Sequence, residues 1–531
     1  MPIDPEYRMS SDAKGALILA AVLVVIASII DEIWAVLAIM PLVFPLVIFA
    51  MSKIPLRYSM AGLMLGALTL PNPNEGFPWG DDSAPFQKVG WVLLAHINTF
   101  DRGNPLVSWC PLSGMDFFFM ALGYIAYSRK RSRSKLDFAG SFPSPEPMNR
   151  LARYSLLATL FVWVTGLLKG GNFSMSLWQL NSVMYLPIVY LLLQTALRGP
   201  QDFHLLLKVL LIAGVYRTIQ ATYVMNMYSN PADVNGDTHL PYATSHADSM
   251  LFADAFIAVL VLFLEKLVKQ KRWRVALLIP ILLMGMQFNN RRLVWVHVLV
   301  AMFTLYLITE DNKIKRHIRR AVMVISPIVL GYVVAGWNSE YGKMFKPVRT
   351  LRSVIDAKSD RSGSSFWREL ENLNLVSTLR ENMIFGTGYG HGYYEIVQLP
   401  EINYALERYC PHNSILGLWA YCGYVGYLGT VMLWIVGVFY AMRAYRRSKV
   451  GLERAAALLS ITAILVYVMH CWGDLGLGTW CGVFTAASAL AMAAKLAVPT
   501  GSWEVKSARK QEPVFNVDQS SPGRGPEGFT A

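Results

Sequence analysis

Apolar stretches of about 14 to 29 residues alternate with mostly short polar or charged connections along almost the whole chain. Most of them are long enough, or nearly so, to cross a hydrocarbon core about 30 Å thick. Because lipid offers the backbone no hydrogen-bonding partners, such segments must be helices. Fourteen stretches share this character: 15–30, 34–52, 58–71, 113–127, 151–169, 178–197, 203–226, 247–265, 275–289, 293–309, 321–337, 413–441, 455–472 and 476–495. The third and the ninth are short, so the pattern predicts an all-α polytopic membrane protein with about 12–14 transmembrane helices.

Four short connections each carry five lysines or arginines: Ser128–Lys135, Lys266–Arg274, Lys313–Arg320 and Arg443–Arg454. If all fourteen stretches span the membrane and the N-terminus is inside, all four connections lie on the cytoplasmic side, as the positive-inside rule requires. The net charge of +13 is then explained by membrane orientation and by contact with anionic lipids. It gives no indication of nucleic-acid binding.

This topology divides the chain into five segments. They are N-terminal transmembrane helices at 1–200 with an outer loop at 71–111, central transmembrane helices at 201–337, a large outer loop at 338–412, C-terminal transmembrane helices at 413–495 and a tail at 496–531. The composition of the tail predicts disorder. The large outer loop is strongly basic between Lys343 and Arg368, which indicates an anionic ligand such as a lipid phosphate or pyrophosphate.

Apart from those of the basic connections, three arginines lie in or next to the apolar stretches of the central segment. Arg217 lies inside a span, where an arginine costs on the order of 2.5–3.5 kcal/mol on insertion scales and needs a partner or a function. One interpretation is a buried ion pair with Asp254 of the next span, and the other is a phosphate-binding arginine in a cavity open to the outside. The two are compatible. Arg291 and Arg292, at an outward turn, either reach lipid headgroups or close a phosphate site.

Within the large outer loop, the sequence from Ser365 to about Glu381 predicts an amphipathic helix near whose start Arg368 lies. Its predicted apolar stripe consists of Leu370, Leu373 and Val376, with Leu379 nearby. A glycine-rich turn follows at Gly386, Gly388 and Gly390. These glycines either form only a turn or let the backbone approach a ligand closely.

His412 follows Pro411 at the start of an apolar helix that enters the membrane from the outer side. The positive end of the helix dipole favours a nearby anion and a neutral imidazole. A neutral histidine can accept a proton from a hydroxyl group, so His412 is a candidate general base. The alternative is a capping or interfacial histidine. We expect no metal and no cofactor, because the five cysteines lack metal-ligand spacing.

With this topology, the chain resembles the O-antigen ligase and O-antigen polymerase superfamily of bacterial envelope glycan enzymes. The elements that carry the resemblance are Arg217, the turn at Asn290–Arg292, Arg368, the glycine turn at 386–390, His412 with Asn413 and Leu416, and the pair Gly423 and Gly426. The likeness covers about residues 205–430. Two positions depart from the family pattern: Asn372 stands where a tryptophan is common, and Tyr421 where an acidic residue is common.

The resemblance implies a lipid-dependent membrane glycosyltransferase (GT-C type) in the bacterial inner membrane, with its active site facing the periplasm. It implies a glycan donor on undecaprenyl pyrophosphate and a glycan or lipid A core as the acceptor. His412 would activate the acceptor hydroxyl, Arg368 would stabilise the leaving group, and the anomeric carbon would invert without a metal. The residues expected at the pyrophosphate are Arg217, Arg291, Arg292, Arg368, Gly388 and Gly390. Membrane lipids and other polysaccharide assembly proteins are further expected partners.

Three questions stay open at this level. A ligase and a polymerase differ in their acceptor, and the long N-terminal region and the two departures favour a polymerase slightly. A lipid-linked glycan transporter is the alternative from another class, although it would favour internal repeats and ionisable residues near the midplane in both halves. Cys110 and Cys410 lie at the ends of the two outer loops, where an oxidising compartment would permit a disulfide between them.

Overall fold

The protein is described here from a computed structural model. The residues that the structure describes are 9–30, 33–71, 86–97, 110, 112–132, 137, 141–228, 243–268, 272–311, 313–339, 344–345, 348–349, 352, 356, 364–400 and 408–504. Several sequence predictions lie outside them. These include most of the outer loop at 71–111, the basic residues Lys343, Lys346, Lys358 and Arg361, and the tail beyond residue 504.

The described part of the chain is helical throughout, apart from loops and one isolated bridge between His96 and Ser113. The helices are α1 (Ser11–Ile30), α2 (Ile33–Lys53), α3 (Leu56–Thr69), α4 (Gln87–Leu94), α5 (Gly114–Arg131), α6 (Glu146–Leu168), α7 (Phe173–Ala196), α8 (Phe203–Tyr228), α9 (Asp248–Leu264), α10 (Arg272–Ala276), α11 (Leu278–Asn289), α12 (Arg292–Ile308), α13 (Lys313–Gly336), α14 (Ser364–Glu381), α15 (Ser414–Arg447), α16 (Gly451–Gly473) and α17 (Trp480–Ala497). A short 3₁₀ turn at Pro200–Asp202 precedes α8.

Each of the fourteen apolar stretches coincides with one of these helices, which confirms the all-α polytopic fold class. Within the described residues, nine helices are long and apolar enough to cross a membrane. The remaining apolar stretches form shorter or more polar helices, such as α3 and α11, so a total of 12–14 spans stays a prediction. The division into five segments also stays a prediction.

The centre of the bundle is formed by α16 and α17, which pack against each other and against α15. The most apolar 18-residue stretch of α17 is completely buried, and 78% of the corresponding stretch of α16 is buried. In α13, by contrast, no residue of the most apolar stretch is buried among the residues described there. Helix α13 therefore lies at the periphery, where its side chains face lipid. The fold therefore places the C-terminal helices, and the loop that enters α15, against the protein core.

The loop helix α14 begins and ends almost where the sequence predicts, but its buried face is a different one. The buried positions are Trp367, Glu371, Asn374, Leu375, Thr378 and Leu379. Leu373 of the predicted apolar stripe is 51% exposed, so this stripe is not the buried face of the helix. The reason is that α14 packs on irregular backbone, whose N–H and C=O groups need polar partners. Asn374, for example, donates to Val397 O at 2.8 Å and accepts from Val397 N–H at 3.0 Å.

The glycine segment, Gly386–Gly390, is clamped between α15 and the turn that joins α6 to α7. The Gly388 N–H donates to Tyr421 O at 3.0 Å, and the Gly390 N–H donates to the Gln179 side chain at 2.6 Å. A Cβ atom at Gly388 would lie 2.4 Å from Gly166 Cα, so only glycine fits this approach. Because both N–H groups already have protein acceptors, Gly388 and Gly390 serve packing, and neither N–H is left for a phosphate.

A break in α15 accommodates the residues that precede the glycine segment. Gly423 has φ 59° and ψ −171°, a conformation outside the helical range that L side chains rarely adopt. The helix loses bonds there, and the loop replaces them: the N–H groups of Tyr424 and Val425 donate to Met383 O at 2.8 Å and Ile384 O at 3.2 Å. The outer loop is thus built into the first turns of α15.

Cys110 and Cys410 are both free thiols, so the disulfide considered from the sequence is not formed in this structure. Cys422, Cys471 and Cys481 are buried free thiols.

Substitution of Gly388 by alanine should destabilise the protein through steric overlap in addition to backbone strain. Gly170 provides the matched control, because it has nearly the same φ, 87° against 88°, yet a Cβ there meets nothing within 4 Å. Thermal unfolding of the purified protein should show a small loss of stability for Gly170→Ala, on the order of 1–3 kcal/mol for a strained backbone conformation. The loss of stability should be larger for Gly388→Ala. Equal losses would show that the close approach of Gly388 to Gly166 is not a constraint.

Candidate functional site around His412

His412 lies immediately before α15, in a turn that α14 holds in place. Its backbone N–H donates to both carboxylate oxygens of Glu371, at 3.1 and 3.2 Å, and its Nδ1 lies 3.5 Å from Glu371 Oε1. The Trp367 ring packs edge-on against the imidazole, with 5.0 Å between ring centroids. Asn413 caps α15 by accepting a hydrogen bond from Leu416 N–H at 3.1 Å. Backbone, ring and helix start are therefore all fixed by local contacts.

The buried carboxylate of Glu371 orients the imidazole of His412. The Glu371 side chain is 1% exposed and the His412 side chain is 22% exposed, so the carboxylate lies on the inner side of the pair and the imidazole on the outer side. A carboxylate beside Nδ1 favours the tautomer that carries its hydrogen there, which leaves the lone pair on Nε2. It also stabilises the imidazolium that forms when Nε2 takes up a proton. This arrangement suits a general base.

Arg368 lies one turn before Glu371 on the same helix and reaches the end of α16. Its Nη1 donates to Gly473 O at 2.9 Å, and its Nη2 lies 3.6 Å from Asp474 Oδ2. The same carboxylate oxygen lies 2.5 Å from Nδ1 of His246, in the segment before α9. Ser414 donates to Asp474 O at 3.1 Å, which joins the start of α15 to this cluster. Asp474 therefore links three parts of the chain that are distant in sequence.

The charge state of Asp474 follows from these contacts. Burial by itself would raise the pKa of this carboxyl, but the charges of His246 and Arg368 outweigh burial and hold the pKa well below its usual range. An ionised carboxylate at the C-terminal end of α16 is disfavoured by the helix dipole. The contacts with His246 and Arg368 are thus what keeps a negative charge in this buried position.

Arg217 is paired with Asp248, and the predicted pairing with Asp254 is wrong. The Arg217 Nε donates to Asp248 Oδ1 at 2.9 Å, Nη2 donates to Asp248 Oδ2, and Nη1 donates to Gln220 Oε1. The guanidinium extends along α8 toward the connection with α9, as long cationic side chains do inside membranes. Asp248 is the first residue of α9, whereas Asp254 lies about 9 Å deeper at 1.5 Å per residue.

Asp254 is left in the protein interior. It is 1% exposed, and neither of its carboxylate oxygens has a hydrogen-bond partner within the described residues. It borders a cavity of about 40 Å³ whose lining is mainly apolar and includes Met64, Phe203 and Met492. A buried carboxylate without a counterion is costly, so Asp254 contributes nothing evident to the stability of the bundle.

Arg291 and Arg292 lie at the same end of the bundle as Arg368. Arg291 is half-buried and caps α12, Arg292 is exposed, and the turn between α11 and α12 is made by Asn290 in the left-handed conformation. The next residue, Leu293, lies beside Gly473, because a Cβ on that glycine would be 3.2 Å from Leu293 Cδ1. The structure therefore brings this turn to the α16 end that Arg368 contacts. Both arginines have electrostatic or hydrogen-bonding partners of their own.

The sequence reasoning missed Glu371, Asp474 and His246. Asp474 carried a usable signal, since an acidic side chain at the end of an apolar segment needs a partner. Glu371 lies one helical turn from Arg368. His246 had no local signal, because its partner is 228 positions away in the chain.

The comparison with known families concerns this part of the chain. Residues 282–431 match a family model described as O-antigen ligase. This segment is similar to the O-antigen ligase family. The superfamily resemblance found in the sequence is confirmed by that match. No curated protein gives a match to the chain.

The O-antigen ligase segment contains Arg291, Arg292, Arg368, the glycine segment and His412. It excludes Arg217, His246 and Asp474, which the fold nevertheless brings to the same end of the bundle as Arg368. The candidate site is therefore completed by residues on both sides of the matched segment. The likeness is also shorter than the 205–430 expected from the sequence.

Substitution of Asp248 by asparagine should destabilise the protein strongly, because it leaves Arg217 buried beside a neutral partner. Breaking a buried pair costs about 3–5 kcal/mol. Asp254→Asn, on the same helix, is the matched control and should have a much smaller or a stabilising effect, since no partner is lost. Thermal unfolding in detergent measures both. A larger loss for Asp254→Asn would mean that Arg217 relies on Asp254 after all.

Proposed function

We propose that this protein is a membrane glycosyltransferase that moves a glycan from undecaprenyl pyrophosphate to a sugar hydroxyl on the periplasmic face of the bacterial inner membrane. The observation that carries this proposal is the arrangement of His412, Glu371 and Arg368 inside the O-antigen ligase segment. A directed imidazole and a guanidinium are what an attack by a hydroxyl on a pyrophosphate-linked sugar requires.

In the proposed reaction, Nε2 of His412 takes the proton of the acceptor hydroxyl. The hydroxyl oxygen then bonds to the anomeric carbon of the donor, the bond from that carbon to the pyrophosphate oxygen breaks, and the electron pair leaves with the pyrophosphate. A single displacement inverts the anomeric carbon. Glu371 stabilises the imidazolium, and Arg368 stabilises the charge that develops on the leaving group. Cationic side chains supply the charge neutralisation here, so the proposal needs no metal ion.

The orientation rests on the length of α15. His412 precedes the first residue of α15 and the basic connection Arg443–Arg454 begins in its last turns, so the two lie at opposite ends of a 34-residue helix. At 1.5 Å per residue such a helix is about 50 Å long, enough to cross a bilayer even with the break at Gly423. If the basic connection is cytoplasmic, as the positive-inside rule asks, His412 faces the periplasm.

The arginines have different parts in this proposal. Of the four candidate arginines, Arg368 is the nearest to His412 in sequence and lies on the same helix as Glu371, the partner of His412, and Arg291 and Arg292 lie at the same end of the bundle. The guanidinium of Arg217 is hydrogen-bonded to Asp248 and Gln220. We therefore propose that Arg217 holds the chain before α9 in place and does not contact the donor directly.

The acceptor decides between a polymerase, which we favour slightly, and a ligase that transfers finished glycan to lipid A core. Cells that lack the gene should be complemented with wild type, His412→Ala, Arg368→Ala or the control Arg380→Ala. Arg380 is an exposed arginine on the same helix as Arg368. We expect both site variants to lose the glycan product by at least a hundredfold, the lower range for a lost general base, and the control to retain it.

Analysis of the accumulated glycan identifies the reaction. Single repeat units on the final acceptor would indicate a polymerase, and full-length glycan left on the lipid carrier would indicate a ligase. Wild-type glycan in both site variants would contradict the catalytic proposal and favour a transporter.

Replacement of Glu371 by glutamine should lower kcat for glycan transfer by about tenfold or more, because the neutral amide cannot offset the positive charge that develops on the His412 ring as it takes the proton of the acceptor. Glu369→Gln, an exposed neighbour on α14, is the control and should behave as wild type. The measurement is the pH–rate profile of the purified enzyme with saturating donor. An unchanged profile in Glu371→Gln would show that the carboxylate has only a structural role.

A further inference from the structure

A histidine and an arginine from separate parts of the chain meet on one buried carboxylate at the α16 end. His246 and Arg368 have side chains that are 34% and 35% exposed, whereas the side chain of their shared partner Asp474 is 6% exposed. The carboxylate is therefore buried, and the imidazole and the guanidinium form its outer layer. Such a layer presents N–H groups toward whatever lies outside it.

Arg368 has donor capacity that the protein does not use. Its Nη1 and Nη2 contact Gly473 and Asp474, but its buried Nε has no hydrogen-bond partner within the described part of the chain. A guanidinium carries five N–H donors in a fixed fork and is suited to bidentate recognition of phosphate. An unpaired buried donor next to a half-exposed fork indicates that an acceptor belongs there.

His246 is held rigidly in this position from both sides. Its Nδ1 contacts Asp474 at 2.5 Å. On its own segment, Ser245 donates through N–H and Oγ to Asp248 at 2.9 and 2.8 Å, and Asp248 is in turn fixed by Arg217. Asp474 occupies Nδ1, so the other ring nitrogen, Nε2, is the one directed away from the buried carboxylate. The buried Arg217–Asp248 pair thus positions a histidine at the site.

We propose that His246 is a further substrate-binding residue, which donates a hydrogen bond from Nε2 to a phosphoryl oxygen of the pyrophosphate that Arg368 also binds, and that Asp474 positions both. This inference rests on the proposed function, because it assigns the ligand as the pyrophosphate headgroup of a prenyl-linked donor. The proposed contact uses the ring with hydrogen on both nitrogens, so that Nδ1 donates to Asp474 while Nε2 donates to the phosphoryl oxygen. The inference also explains why a buried carboxylate is retained at a helix C-terminus, where it is otherwise unfavourable.

The test is binding of farnesyl pyrophosphate and of inorganic pyrophosphate to the purified full-length protein in nanodiscs. For His246→Ala we expect about tenfold weaker binding of farnesyl pyrophosphate, the value of one hydrogen bond to a charged group. Arg368→Ala should lose at least as much. His204→Ala, at the opposite end of α8 from the connection that carries His246, is the control and should bind as wild type.

The variant His246→Gln distinguishes a loss of binding from a loss of folding. Its amide can still donate to Asp474 but carries no charge, so the thermal midpoint should stay near that of wild type while farnesyl pyrophosphate binds several-fold more weakly. Wild-type affinity in both His246 variants would overturn the inference and leave His246 as a counterion of Asp474 only. The inference would also be overturned if the His246 variants lost binding of inorganic pyrophosphate but kept wild-type binding of farnesyl pyrophosphate, because the ligand of His246 would then be a free anion. If wild type bound neither probe, the proposed donor itself would be wrong.

Discussion

The candidate site depends on how the glycine segment is seated against α15. Lipid-spanning helices cannot leave backbone groups unpaired, and an outer loop that rests on them must bring its own partners. Gly423 breaks the hydrogen-bond pattern of α15, and the carbonyl groups of Met383 and Ile384 supply the missing acceptors. Gly388 lies so close to the neighbouring backbone that any larger residue would overlap with it. Once these contacts form, the position of α14 is fixed, and with it the positions of Arg368 and Glu371 relative to His412.

The polar face of α14 connects this packing to chemistry. A loop helix that lay only on lipid or on an apolar core would bury apolar side chains alone, but α14 buries Glu371, Asn374 and Thr378 beside its buried leucines, because part of this face lies on irregular backbone. Asn374 and Thr378 satisfy that backbone with hydrogen bonds. Glu371 does the same for the His412 N–H and in addition faces the imidazole. One set of polar contacts thus serves both the stability of the loop and the direction of the proposed base.

Buried ion pairs give the second level of organisation. Arg217 with Asp248, and Asp474 with His246 and Arg368, are pairs whose loss leaves an uncompensated charge, so each strongly specifies the geometry around it. They join α8, α9, α14 and α16 at one end of the bundle, and of these four helices only α14 lies within the segment that matches the O-antigen ligase family. A family match of this kind therefore locates part of a site, and the partners that orient it come from elsewhere in the chain.

The sequence alone determined the helical membrane fold, the approximate bounds of every apolar helix, the loop helix at 365–381 and the O-antigen ligase resemblance, because hydropathy and turn residues act locally. It also indicated Arg217, Arg368 and His412 as candidate site residues, since a charged or polar side chain inside or next to a membrane-spanning helix needs a partner or a function. Only the tertiary structure decided which groups pair. It replaced Asp254 by Asp248 as the partner of Arg217, turned the glycines from ligand contacts into packing contacts, and added Glu371, His246 and Asp474 to the site. The physical reason is that a pairing depends on the distance between side chains on different helices, which neither periodicity nor composition contains.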